Sequence, residues 1–181
     1  MDKKLSNVDV ASLTILCYPD PRLRERSTAV EDPTDPAVAA LAAKMFELMS
    51  AARGVGLAAP QVGVTVRLFV ACPTGEPDDR HVYINPRIVS AEGWQTGEEG
   101  CLSFPGVCGK IKRNQVATIR ATGLDGEEFE AVGEGLAARV FQHEIDHLDG
   151  RLLVDRLGSV ARLAHRRELK ALEERFARAG T

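Results

Sequence analysis

Gln142-His143-Glu144-Ile145-Asp146-His147-Leu148 is the stretch around which this chain has to fold. It closes a segment from about Glu134 to Leu148 that reads as a helix, with Gly150 just past its end. Residues four apart lie one above the other on a helix, so His143 and His147 present two imidazoles on one face. Glu144 follows the first histidine directly. It is badly placed to share a metal ion but well placed to take a proton from water beside one. This is the H-E-x-x-H arrangement of metal-dependent hydrolases. A solvated polar helix can carry the same five residues by chance. Here Val140, Phe141, Ile145 and Leu148 surround them, so the helix is buried on much of its circumference. Buried histidine and glutamate side chains need partners.

Working outward, a first helix is expected from about Pro36 to Arg53. Asp35 caps it, Pro36 suits its first position, and Val38, Leu41, Ala42, Met45, Leu48 and Met49 make one apolar face. Gly54 is expected to end it in the left-handed conformation. The following run, Gly54 to Gly63, is too rich in Gly and Pro for a helix. Strands are expected at Val64–Ala71, His81–Ile84, Arg87–Ala91, Val116–Ala121 and Glu128–Ala131. A last helix should run from about Ser159 to Ala179. Short strands separated by turns, rather than alternating strand–helix units, point to an α+β fold. Short antiparallel strands then pack around the central metal-binding helix, with one helix N-terminal and one C-terminal to them.

The chain has 181 residues, enough for one domain with a real core, and residues 1–181 are read as a single catalytic domain. Residues 1–12 are expected to be loosely held, and residues 159–179 form the C-terminal helix. A net charge of -3 gives no global attraction to DNA or anionic lipid. No run of about 18 apolar residues is present to span a membrane. The opening Met1-Asp2-Lys3-Lys4 leads into no apolar signal-peptide core, so the cytoplasm is the expected compartment. There the four cysteines, Cys17, Cys72, Cys101 and Cys108, are expected to stay reduced.

A catalytic metal usually has three protein ligands and a water, so two histidines need a third partner. One source lies downstream, as in zincin-type proteases: His165, Glu168, Glu173 or Glu174. The other is Cys101, in Glu98-Glu99-Gly100-Cys101-Leu102-Ser103-Phe104-Pro105-Gly106, where glycines let the backbone approach a metal closely. A free cysteine is also commonly just a small buried apolar residue. Spacing alone leaves both sources open.

Three separated segments together resemble the peptide deformylases. They are Gly54-Val55-Gly56-Leu57-Ala58-Ala59-Pro60-Gln61, Glu99-Gly100-Cys101-Leu102-Ser103, and Gln142-His143-Glu144-Ile145-Asp146-His147-Leu148. Their order and spacing fit as well. Ile15-Leu16-Cys17-Tyr18-Pro19-Asp20-Pro21-Arg22-Leu23 is similar to the family's usual opening, and the resemblance runs from about Leu13 to the end.

The resemblance implies metal-dependent removal of the formyl group from the N-terminal formyl-methionine of newly synthesised proteins, with release of formate. It implies that Cys101, His143 and His147 hold one divalent ion, Fe2+ in the cell, with Zn2+, Ni2+ or Co2+ able to replace it; a thiolate suits such ions. Glu144 would accept the proton of the attacking water and pass it to the leaving amine. The Gln61 side-chain amide and the Leu102 backbone N–H would face the negative oxygen that develops. Val55, Leu136 and Val140 would line the methionine pocket, and backbone around Gly56, Glu99 and Gly100 would pair with the extended peptide. Asp146 is a candidate to orient a ligand histidine, with Arg113 as its own partner.

Two positions depart from the family's pattern. Cys108 stands where many relatives have a substrate-gripping arginine. Arg139 replaces an apolar residue one turn before His143; it is expected to line the substrate channel or to form a buried ion pair. The segment from Ser159 to Thr181 has six Lys/Arg against three Glu, a sign that suits contact with ribosomal RNA. The competing readings are a zincin-like endopeptidase and a descendant with a purely structural metal.

Overall fold

β2 (Leu68–Ala71) is buried at every position, because both of its faces are covered by helices. In a computed structural model describing Leu5 and residues 8–179, Leu68 and Val70 point to one side of the sheet and Phe69 and Ala71 to the other. This is the two-residue period of a strand. The first side meets α1 (Pro36–Ala51) through Val38, Leu41, Met45 and Met49. The second meets α2 (Leu136–Leu148) through Val140, Phe141, Ile145 and Leu148. The fold is therefore α+β, with the His143–His147 helix packed against antiparallel strands.

The main sheet has the order β1-β2-β3-β6-β7, antiparallel throughout. Its other members are β1 (Gly56–Ala58), β3 (His81–Glu92), β6 (Val116–Thr122) and β7 (Glu128–Glu134). The two strands expected at His81–Ile84 and Arg87–Ala91 are one strand, β3. It carries Pro86 through register irregularities on either side of Arg87 and Ile88. Pro86 lacks an N–H, and such irregularities are where a ladder tolerates one. The strand expected at Val64–Ala71 starts only at Leu68, since Gly63 turns in the left-handed region and Val66 pairs in isolation with Thr28.

A separate ribbon of β4 (Gln95–Gly100) and β5 (Cys108–Arg113) is the largest element absent from the sequence reading. Neither strand shows apolar alternation. Their register instead sets Glu98 opposite Lys110, an opposite-charge cross-strand pair.

Asp35 caps α1 by accepting a hydrogen bond from Ala37 N–H at 2.9 Å. The helix stops at Ala51, and Arg53, not Gly54, takes the left-handed conformation at φ 57°. Gly54 is needed for a close approach instead: a Cβ there would lie 2.7 Å from the Leu102 side chain. The single C-terminal helix expected from Ser159 is interrupted for one residue at His165, between α4 (Ser159–Ala164) and α5 (Arg166–Ala179). A short α3 (Leu153–Arg156) precedes them. The break lets Ala161 and Leu172 both join the third core, with Phe104, Val107 and Ile111. Neither glycine nor proline marks that break in the sequence. Of the first twelve residues, 1–4, 6 and 7 lie outside those described, as do 180 and 181; Leu5 is buried in the α1 core.

Phe69 is fully buried and stacks on Tyr83 with ring centroids 4.6 Å apart. Phe69→Ala should cost about 3–5 kcal/mol, through lost burial and the cavity left behind. Urea unfolding followed by circular dichroism checks this: the midpoint falls while the slope is retained.

Candidate active site

β1, the β4–β5 ribbon and α2 converge on one cleft of about 330 Å³. Its lining includes Val55, Gly56, Gln61, Glu99, Gly100 and Cys101, with Leu136, Arg139, Val140, His143 and Glu144 from α2. Leu102 lines it too, and His147 lies behind it, buried. The residues singled out in the sequence are thus brought to one place.

Cys101 sits just past β4, at the tip of the ribbon. Its Sγ lies 3.2 Å from His147 Nε2, and the rings of His143 and His147 are 4.9 Å apart, edge to face. One ligand atom from each of Cys101, His143 and His147 falls within 4.8 Å of the others. Metal–sulfur and metal–nitrogen bonds of about 2.3 and 2.0 Å at a tetrahedral angle place sulfur and nitrogen about 3.5 Å apart. The three residues therefore fit one ion. None of the downstream alternatives, His165, Glu168, Glu173 or Glu174, belongs to this cluster.

Glu144 lies in the same pocket. Its Oε2 is buried and has no hydrogen-bond partner among the described residues. Burial pushes its carboxyl up to about 7; the His143 imidazole opposes the shift and the Glu99 charge adds to it. Burial, together with His143, holds His147 well below the ordinary imidazole range, which favours the neutral form a ligand needs.

The carboxylate that holds the His143 ring is Glu99, not Asp146. His143 Nδ1 lies 3.1 Å from Glu99 Oε2. Arg113 grips the same carboxylate with two bonds of 2.9 and 3.0 Å, and Arg139 Nη1 donates to it at 2.6 Å. Burial alone would raise Glu99, but the hydrogen bonds from His143 and Arg113 outweigh it and hold the carboxyl at about 2. Asp146 accepts instead from Arg113 at 2.5 Å and from Arg156 at 2.9 Å. Sequence reasoning gave Glu99 only a backbone role. The signal available was the buried ion pair expected of Arg139, which needed an acid near the site.

Gln61 is buried at the end of a short 3-10 turn (Ala59–Val62). Its Oε1 accepts from Ala58 N–H at 2.8 Å, which fixes the amide and turns Nε2 toward Cys101 Sγ at 3.5 Å and Ser103 Oγ at 3.1 Å. Ser103, unassigned from sequence, is the acceptor that steadies this amide. Cys108 pairs with Gly100 across the ribbon and is absent from the cleft lining.

A cysteine sulfur, two imidazoles and a buried carboxylate in one cleft are the donor set and base of a mononuclear metallohydrolase. Residues 12–163 match the family model described as Polypeptide deformylase. A peptide deformylase of Acidobacterium capsulatum is 47% identical over 150 residues, spanning 82% of this chain and 88% of that protein. One from Alkalilimnicola ehrlichii is 46% identical over 90% of this chain and 92% of its own length. The crystal structure of a peptide deformylase from Legionella pneumophila superposes with a TM-score of 0.84 at 44% identity, covering 92% of this chain and 98% of that one. The chain belongs to the polypeptide deformylase family. It is a metal-dependent hydrolase that removes the formyl group from N-terminal formyl-methionine.

Cys101→Ala should lower bound metal to a small fraction of one ion per chain, measured by elemental analysis, whereas Glu168→Ala should leave it unchanged. Metal lost only in the second variant would exclude the ligand set above. Glu99→Gln should destabilise the fold by about 3 kcal/mol, because it leaves buried guanidinium charge under-compensated. Chemical denaturation of the purified variant reads this directly.

Proposed function

We propose that Cys101, His143 and His147 hold the catalytic ion, and that Glu144 is the base and acid of deformylation. The observation carrying this reading is Glu144 Oε2, buried and unpartnered beside the three-ligand cluster. When bound, a divalent ion there supplies Lewis acidity, making water more acidic and polarising a carbonyl oxygen. Fe2+ is the ion proposed for the cell, with Zn2+, Ni2+ or Co2+ able to substitute.

Glu144 takes the proton of the attacking water on Oε2 and returns it to the amine that leaves. A carboxyl raised toward neutral pH suits both halves of that exchange. Gln61 Nε2, held by Ala58 and Ser103, donates toward the oxygen that gains charge, and the Leu102 N–H joins it. Val55, Leu136 and Val140 form the apolar wall for methionine. The free edge backbone near Gly56, Glu99 and Gly100 aligns the peptide as an added strand. Arg139 acts by holding Glu99, and so His143, rather than by gripping substrate.

The same reading treats the chain as one catalytic domain acting in the cytoplasm on nascent formyl-methionyl chains. Among the described residues no helix is long and apolar enough to cross a membrane. Contact with the ribosome is proposed for the basic α5.

Formate release from a formyl-methionyl tripeptide, by protein kept reduced and oxygen-poor, tests the assignment. Glu144→Ala should retain metal and melting temperature and lose about a hundred- to ten-thousand-fold in kcat. Turnover at the parent rate would remove Glu144 from the mechanism. Gln61→Ala should lose about a hundredfold or more, in kcat rather than KM.

A further inference from the structure

The side of α2 away from His143 and Glu144 floors a second depression. One lobe of about 300 Å³ lies between Trp94, Lys112, Arg151 and Arg156. Another of about 520 Å³ lies between Arg26, Arg67 and Arg87. They share Ile88, Ile145 and Asp149, so they form one continuous groove.

Its charge is uneven in a chain of net charge -3. The two carboxylates in the groove are both engaged: Asp146 by Arg113 and Arg156, and Asp149 by Arg67 at 2.9 Å. Arg151 only approaches Asp146, at 3.8 Å, and is 60% exposed. Arg26, Arg87 and Lys112 have no carboxylate partner among the described residues. Three cations are thus left without a carboxylate along one channel, and a fourth, Arg151, is only loosely paired. One further feature points to a ligand. Trp94, the only tryptophan in the chain, is 66% exposed, with Lys112 Nζ 4.2 Å from its ring centre.

Surplus cations along a concave track beside an exposed aromatic ring are what a single-stranded nucleic acid requires. Phosphates follow the charges and an unstacked base covers the ring. A duplex offers no free base face, and a flat lipid surface would touch only the rims. We propose that this groove binds single-stranded RNA, with phosphates on Arg26, Arg87 and Arg151 and a base on Trp94. The choice of RNA rests on the deformylase reading, because newly made formylated chains emerge where RNA is exposed. α5 lies outside the groove and contributes none of these residues.

Excitation selective for Trp94 gives a direct probe in the full-length, metal-loaded protein. An oligouridylate of about twelve nucleotides should quench it saturably, with affinity falling steeply as salt rises. The double variant Arg26→Gln, Arg87→Gln should bind roughly tenfold more weakly and show a shallower salt slope. Trp94→Ala should weaken binding of fluorescently labelled RNA roughly 5- to 150-fold. Both variants should release formate from a formyl-methionyl tripeptide at the parent rate, so loss of RNA binding is separable from loss of deformylation. No quenching at low salt, or quenching unaffected by the arginine changes, would overturn the proposal. So would equal displacement by inorganic polyphosphate of matching charge, or quenching by phosphatidylglycerol vesicles alone.

Discussion

The Glu99 carboxylate is the point on which the site depends. It is buried at 5% exposure, where an unpaired charge would cost several kcal/mol. Arg113 and Arg139 supply the compensating charges, and His143 takes one remaining acceptor position. Two of these partners belong to α2 and one to β5, while Glu99 itself belongs to β4. The carboxylate therefore ties the ribbon to the helix. Cys101 lies two residues along the chain from Glu99, so the same tie sets its sulfur against the two imidazoles. A metal site assembled from distant segments needs such a brace, because ligand positions loose by an ångström lose both metal and activity.

α2 serves three surroundings at once, and its period explains how. Phe141, Ile145 and Leu148 pack against the sheet. His143 and Glu144 face the cleft. Gln142, Asp146 and Asp149 face the basic groove. Arg113 spans the last two surroundings, since it bonds Glu99 on one side and Asp146 on the other. The sandwich of α1, sheet and α2 gives this helix a rigid backing, and the polar faces gain their precision from it.

The parts of this protein that were legible in the sequence are those with local periodicity or a fixed spacing. α1 and α2 show apolar residues at helical steps, and His143, Glu144 and His147 carry their geometry in the helix itself. The β4–β5 ribbon was illegible because its residues, Gln95-Thr96-Gly97-Glu98-Glu99-Gly100 and Cys108-Gly109-Lys110-Ile111-Lys112-Arg113, pair through charge and backbone rather than through an apolar face. The role of Glu99 was hidden for the same reason: its partners lie 14 and 40 residues away, and only the ribbon brings them together. Asp146 was the more obvious candidate by closeness in sequence. It bonds Arg113 and Arg156 instead, because on the helix it flanks the His143–His147 pair on the side opposite Glu144.

The size of the site follows from what glycine leaves open. A methyl group at Gly56 would run into the Glu144 carboxylate, and one at Gly54 would press on the Leu102 side chain. β1 therefore runs as bare backbone against the Glu144 carboxylate, and the distance between strand and helix is set by the absence of a side chain. Gly97 does the same on the ribbon, where a Cβ would lie 2.9 Å from the Arg139 guanidinium. With strand, ribbon and helix drawn this close, Cys101, His143 and Glu144 line one cleft. The closeness of strand, ribbon and helix is thus a steric consequence of three glycines and of the Glu99 brace they make room for.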